Sequence, residues 1–212
     1  MPSLKPPSNT EIIAGSPVTE AALTMIGALS GNPLTAILPV LGNSLASERQ
    51  RKRIEAALAD IDVILNRHDI ALRNLTDEQY KLINEAILAL FQTTNSAKID
   101  YLRRAVQNSL SIESIQFQEA AVLSRIIRDI SADEVDFLFR NFEYERILIL
   151  PDNSNHESKV LVVHPGSPDR LVVTGLVSLG LLESGSSTIG DGGVLKFSAI
   201  VIKLMVLLNK NP

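Results

Sequence analysis

Several groups of residues have the side chains that catalysis or metal binding would use. His156-Glu157-Ser158-Lys159-Val160 begins like the H-E-x-x-H helix of zinc proteases, where two imidazoles one turn apart hold the metal and a glutamate activates water. Val160 stands where the second imidazole belongs, and one histidine does not hold the ion. Gly185-Ser186-Ser187-Thr188-Ile189 approaches a G-x-S-x-G nucleophile elbow, but Ile189 replaces its last glycine and the strand–turn–helix setting is missing. The Gly/Ser stretch 184–193 lacks the Gly-Lys-Ser/Thr ending of a phosphate-binding loop and reads as a hairpin tip. His68, His156 and His164 share no ligand spacing. Asp133, Glu134 and Asp136 gather at an expected helix start, where the helix dipole accounts for them. The chain has no cysteine, which excludes thiolate metal sites, a cysteine nucleophile and a disulfide scaffold. These patterns predict no catalytic, cofactor-binding or metal-binding residue, and therefore no enzyme.

A different chemistry is offered by Arg49, Arg51, Lys52 and Arg53. They follow residues 21–47, which contain no charged side chain. A basic run beside an apolar segment can meet anionic lipid headgroups, so these four are candidate lipid contacts. Crossing a bilayer takes roughly 18–20 consecutive apolar residues. Ser30-Gly31-Asn32-Pro33 divides the segment into pieces too short for that, and Pro39 and Asn43 interrupt the second. Two short buried helices, or peripheral membrane contact, are the readings that remain. No basic n-region abuts an apolar run at the start, so a cytoplasmic location, with membrane association through this segment, is the expectation.

With 45% hydrophobic residues over 212 positions, the chain has enough apolar side chain to fold around a core. Aromatics are only 4% and Trp is absent, so the core must be Leu, Ile, Val and Ala. A net charge of −4 is the wrong balance for a chain dominated by phosphate contacts, and nucleic acid is not the expected partner.

The elements follow from periodicity. Residues 1–15 read as a flexible tail. Ile54, Leu58, Ile61, Leu65, His68, Leu72 and Leu75 alternate steps of four and three, the a/d seam of a heptad helix over 49–75. The partner of such a seam is another chain or the next helix of this one. A homo-oligomer through the seam is the expectation carried forward, with His68 setting register or sitting half-exposed near a helix end. Thr76-Asp77-Glu78-Gln79 and Ser131-Ala132-Asp133-Glu134 are capping boxes opening two further helices. Ser96 is the expected cap of another, and one more covers 115–129. Together these form a helical bundle.

Beyond Asn141 the pattern changes. Residues 146–150 and 159–164 are β-branched and leucine runs separated by Pro151-Asp152-Asn153-Ser154-Asn155, and they read as a hairpin. Ser167-Pro168 opens a helix that Gly180 closes. Leu181-Leu182-Glu183 and 193–197 are expected strands around the Gly/Ser loop, and Ser198 is the expected cap of a last apolar helix. Residues 170–208 thus resemble a winged-helix module, with helices near 117–129 and 132–142 supplying its first two. The helix that would read DNA offers one Arg170 among apolar and small residues, and the wing has no basic side chain. The module is therefore expected to bind protein, and a winged-helix transcription regulator is the alternative.

The order of parts also resembles the abortive-infection alpha family of bacterial phage-resistance proteins. An apolar Gly/Pro-bearing start precedes a basic-led helix at 49–75. A helical middle includes Ile130-Ser131-Ala132-Asp133-Glu134, and a winged-helix end carries Leu179-Gly180-Leu181-Leu182. The resemblance implies antiviral defence or stress response, and it carries no functional residues across. The expected fold is mainly α: a helical bundle with a long heptad-patterned helix at 16–112, then a winged-helix-like α+β module at 113–212. The expected function is non-enzymatic, through homo-oligomerisation and contact with an unidentified protein partner, with membrane disturbance on triggering as its sharper form.

Overall fold

The computed structural model describes residues 48–112, 114–150, 158–185 and 194–209. The uncharged stretch 21–47, His156, Glu157 and positions 186–189 of the Gly/Ser loop lie outside them. Among the described residues the fold is mainly helical, with one small mixed sheet. The helices in chain order are α1 Glu48–Arg67, α2 Asp69–Arg73, α3 Asp77–Gln92, α4 Ser96–Ser109, α5 Phe117–Asp129 and α6 Ala132–Asn141. The strands β1 Arg146–Ile149 and β2 Val160–Val163 follow, then α7 Pro168–Ser178, β3 Leu182–Ser184, β4 Val194–Phe197 and α8 Ile200–Leu208.

Local chemistry explains most of the boundaries. The Thr76 hydroxyl accepts from the Gln79 N–H at 3.2 Å while the Gln79 side chain accepts from the Thr76 N–H at 3.0 Å, so two orphan donors at the start of α3 are satisfied. Ser131 and Glu134 do the same for α6. For α4 the cap is Asn95, whose side chain accepts from Lys98 N–H at 3.1 Å, and Ser96 is the first helical residue. Ser198 does not cap α8: its hydroxyl donates to Gly180 O at 2.8 Å, tying the helix start to the turn after α7. Gly180 is the glycine that the backbone requires, at φ 72, and it reverses the chain so that Leu181 N–H reaches Leu176 O at 2.9 Å.

The helix expected over 49–75 is two helices. His68 breaks it with φ −110 and ψ 32, within an Asn66-Arg67-His68-Asp69 run whose asparagine, histidine and aspartate are weak helix formers. The strand pair expected as a hairpin is parallel: Arg146 faces Val160 and Ile149 faces Val163. Ten residues separate Ile149 from Val160, more than the two to five of a tight hairpin, and they let the chain return in the same direction. The sheet order is β2-β1-β4-β3, with β4 antiparallel to both neighbours.

Packing centres on α4, which lies against α1, α3, α6 and α8. α3 also packs on α5, and α7 packs on α6 and β3. The last helix, α8, thus returns to the first half of the chain. One hydrophobic cluster runs from Ile54 to Leu208 among the described residues. As expected from composition, its members are mainly Leu, Ile, Val and Ala, with Phe137 the one buried aromatic among the described residues.

Candidate functional site

The residues singled out from the sequence lie in three different settings. Ile54, Leu58, Ile61 and Leu65 are buried on α1, which packs against α4, so these four seam positions are occupied within the chain. Leu72 and Leu75 are half-buried against the same core, and His68 is an exposed turn residue. Arg49, Lys52 and Arg53 are exposed, but Arg53 donates to Thr94 O at 3.4 Å and Arg51 pairs with Glu55 at 3.4 Å. The basic run is therefore partly engaged with its own fold. His164 accepts the Gly166 N–H on Nδ1 at 3.1 Å, a turn contact before α7. Among the described residues, no three His, Asp or Glu side chains are grouped to hold a metal ion. No described helix is long and apolar enough to cross a membrane.

The surface with most to offer lies between α6 and α7. A groove of about 500 Å³ is lined by Asp133, Asp136 and Arg140 from α6 and by Asp169, Leu171 and Val172 from α7. Its acidity has a local cause. Asp133 is in the first turn of α6 and Asp169 in the first turn of α7, where the positive helix ends stabilise carboxylates. Leu171 is 78% exposed at the lip, the most solvent-open large apolar side chain among the described residues.

A neighbouring aromatic pair backs the α6 wall. The Tyr101 hydroxyl donates to the Asp136 carboxylate, and the Tyr101 ring stacks on Phe139 with centroids 6.4 Å apart. The Arg104 guanidinium lies 5.2 Å from the Tyr101 ring centroid. Burial, reinforced by the bond to Asp136, pushes the Tyr101 pKa up to about 12, so the hydroxyl remains a donor across the physiological range. Arg140 donates to Asp136 O at 3.3 Å, which holds the cation on the groove wall.

From the sequence, Asp133 and Asp136 read only as helix-start carboxylates, and the groove they line was not legible. The available signal was Leu171, an apolar residue on the polar side of its helix, while Val173 and Leu176 occupy the buried side. An exposed leucine beside fixed carboxylates suits a ligand with an apolar anchor and basic flanks. No family model matches the chain, and no curated protein or solved structure does either.

Proposed function

We propose that this chain acts by binding protein, including a second copy of itself, and that the α6–α7 groove receives a peptide or helix with an apolar side chain and basic neighbours. Leu171 carries this reading. An exposed leucine in a three-carboxylate groove loses water on contact with a complementary surface, whereas phosphate would meet like charge. In a winged-helix reading, α5 and α6 are the leading helices, α7 is the helix that would face DNA, and β3 and β4 are the wing strands. The outward side of α7 then presents Leu171 and Val177, and its one arginine, Arg170, is turned to the Thr174 hydroxyl at 3.1 Å. That surface favours the protein-binding form over the regulator. The order of parts that resembles abortive-infection alpha proteins is what supports reading the binding event as part of phage defence.

Selection of displayed random peptides on the full-length chain tests the groove, with Leu171→Asp run in parallel. Wild type is expected to enrich peptides with an apolar residue flanked by Lys or Arg, and L171D to lose them. No enrichment by wild type, or the same enrichment by both, overturns the assignment. Salt-dependent capture of a defined sequence from random duplexes would favour the regulator instead.

A further inference from the structure

The sheet ends in two unlike edges. β3 is three residues long with Glu183 at its centre, paired to Lys196 on β4 at 3.2 Å. β2 is Val160-Leu161-Val162-Val163, with no charge or proline. Sheet edges are ordinarily guarded by charge, proline, a bulge or extreme shortness, because unpaired backbone groups are a template for another strand. β3 has two of these guards, and β2 has no charge or proline to serve.

The backbone of β2 shows which groups are available. The carbonyls of Lys159 and Val163 both accept from the β1 side, from Glu145 N–H at 2.9 Å and Leu150 N–H at 3.3 Å. Alternate residues of a strand direct their backbone groups to the same side, so Leu161 also faces β1. The N–H and C=O of Val160 and Val162 point the other way, where no described residue pairs with them.

We infer that β2 is the edge through which two copies of this chain associate, antiparallel, about a two-fold axis at Leu161. This deepens the self-association named above and rests on it. The register follows from the outward groups. Val160 and Val162 exchange both backbone hydrogen bonds with Val162 and Val160 of the second copy. Leu161 meets itself as a non-hydrogen-bonded pair, with Cα atoms about 4.5 Å apart. The arrangement is self-complementary, as a two-fold interface requires. Charge favours this edge as well: pairing β2 with itself opposes no like charges, and Lys159, already held by Glu145, falls opposite Val163 of the second copy. Pairing β3 with itself about its centre would set Glu183 against Glu183. The product is one continuous eight-stranded sheet.

Sedimentation equilibrium of the full-length chain over a wide concentration range, with two variants, tests the edge. Val162→Pro removes an outward N–H and leaves the β1–β2 ladder intact, since a proline is tolerated where the N–H faces away from the sheet. Leu161→Cys places the only thiol of the chain on the proposed axis. The expected results are a reversible wild-type dimer, a monomeric V162P with unchanged circular dichroism, and an interchain disulfide in L161C under mild oxidation. A wild-type dimer together with a dimeric V162P and no L161C cross-link overturns the edge but leaves self-association standing. A monomer at every concentration overturns both. Should V162P unfold, the L161C cross-link decides alone.

Discussion

Asn108 on α4 holds the end of α8 by its side-chain amide, which lies 2.9 Å from Leu207 O, 3.0 Å from Val206 O and 3.1 Å from Asn209 O. Val206 and Leu207 lie in the last turn of a helix that stops at Leu208, where carbonyls run past the end of the helix's own N–H ladder, and Asn108 itself is only 3% exposed. Near its other end α4 does the same for α5: the Lys98 ammonium donates to Arg128 O at 2.7 Å. One helix thus caps two others, through an exposed contact at Arg128 and a contact at Leu207 that is buried in the core.

Asn108→Ala is expected to destabilise the fold by about 2–3 kcal/mol, since it strands the buried Leu207 carbonyl as well as losing the amide's bonds. Urea unfolding with an unchanged m-value would show this. A loss under about 0.5 kcal/mol would mean that water caps α8 equally well.

Gly175→Ala should destabilise, although Gly→Ala inside a helix ordinarily gains up to about 1 kcal/mol. A Cβ at Gly175 would overlap the Glu134 carboxylate, and that carboxylate is held by Ser131 N–H at 2.7 Å and the Ser131 hydroxyl at 2.8 Å. A double-mutant cycle checks the cause: in a Glu134→Ala background the penalty should disappear. Additive effects would show that Glu134 is not what Gly175 accommodates.

Ser124→Ala should stabilise by about 1 kcal/mol. The Ser124 hydroxyl is buried on α5 with no hydrogen-bond partner among the described residues, and alanine removes that group while favouring the helix. A lower thermal midpoint for S124A would contradict this.

Glu85 sets a pH dependence. Burial raises its pKa above the ordinary 4.5, against the lowering by Arg128 and Lys81. The folded state therefore holds this proton more tightly than the unfolded chain, and the stability it contributes is present at acid pH and lost as pH rises through and above 4.5. Glu85→Gln should flatten that part of the stability–pH curve and be no less stable than wild type at neutral pH, since the Arg128 pair is long at 3.9 Å. A steeper curve in E85Q would reverse the sign.

What could be read in the sequence was local. The Thr76 and Ser131 caps, the Pro168 helix start and the buried side of α1 each depend on neighbours within a turn or two. What escaped was made by distance. Tyr101 meets Asp136 across 35 positions, and Asn108 meets Leu207 across 99. The parallel direction of β2 was hidden because a run of valines and leucine suits either direction, and only its placement beside β1 decides. Asn108 gave no signal at all, being one amide among many until α8 folded back over it.

The α6–α7 groove is the proposed seat of this chain's partner. Amide hydrogen exchange with and without a selected apolar–basic peptide tests it most directly. Protection confined to residues 132–141 and 168–178, lost in L171D with the thermal midpoint unchanged, is the expected outcome. Protection elsewhere on the chain, or binding that survives L171D, would contradict it.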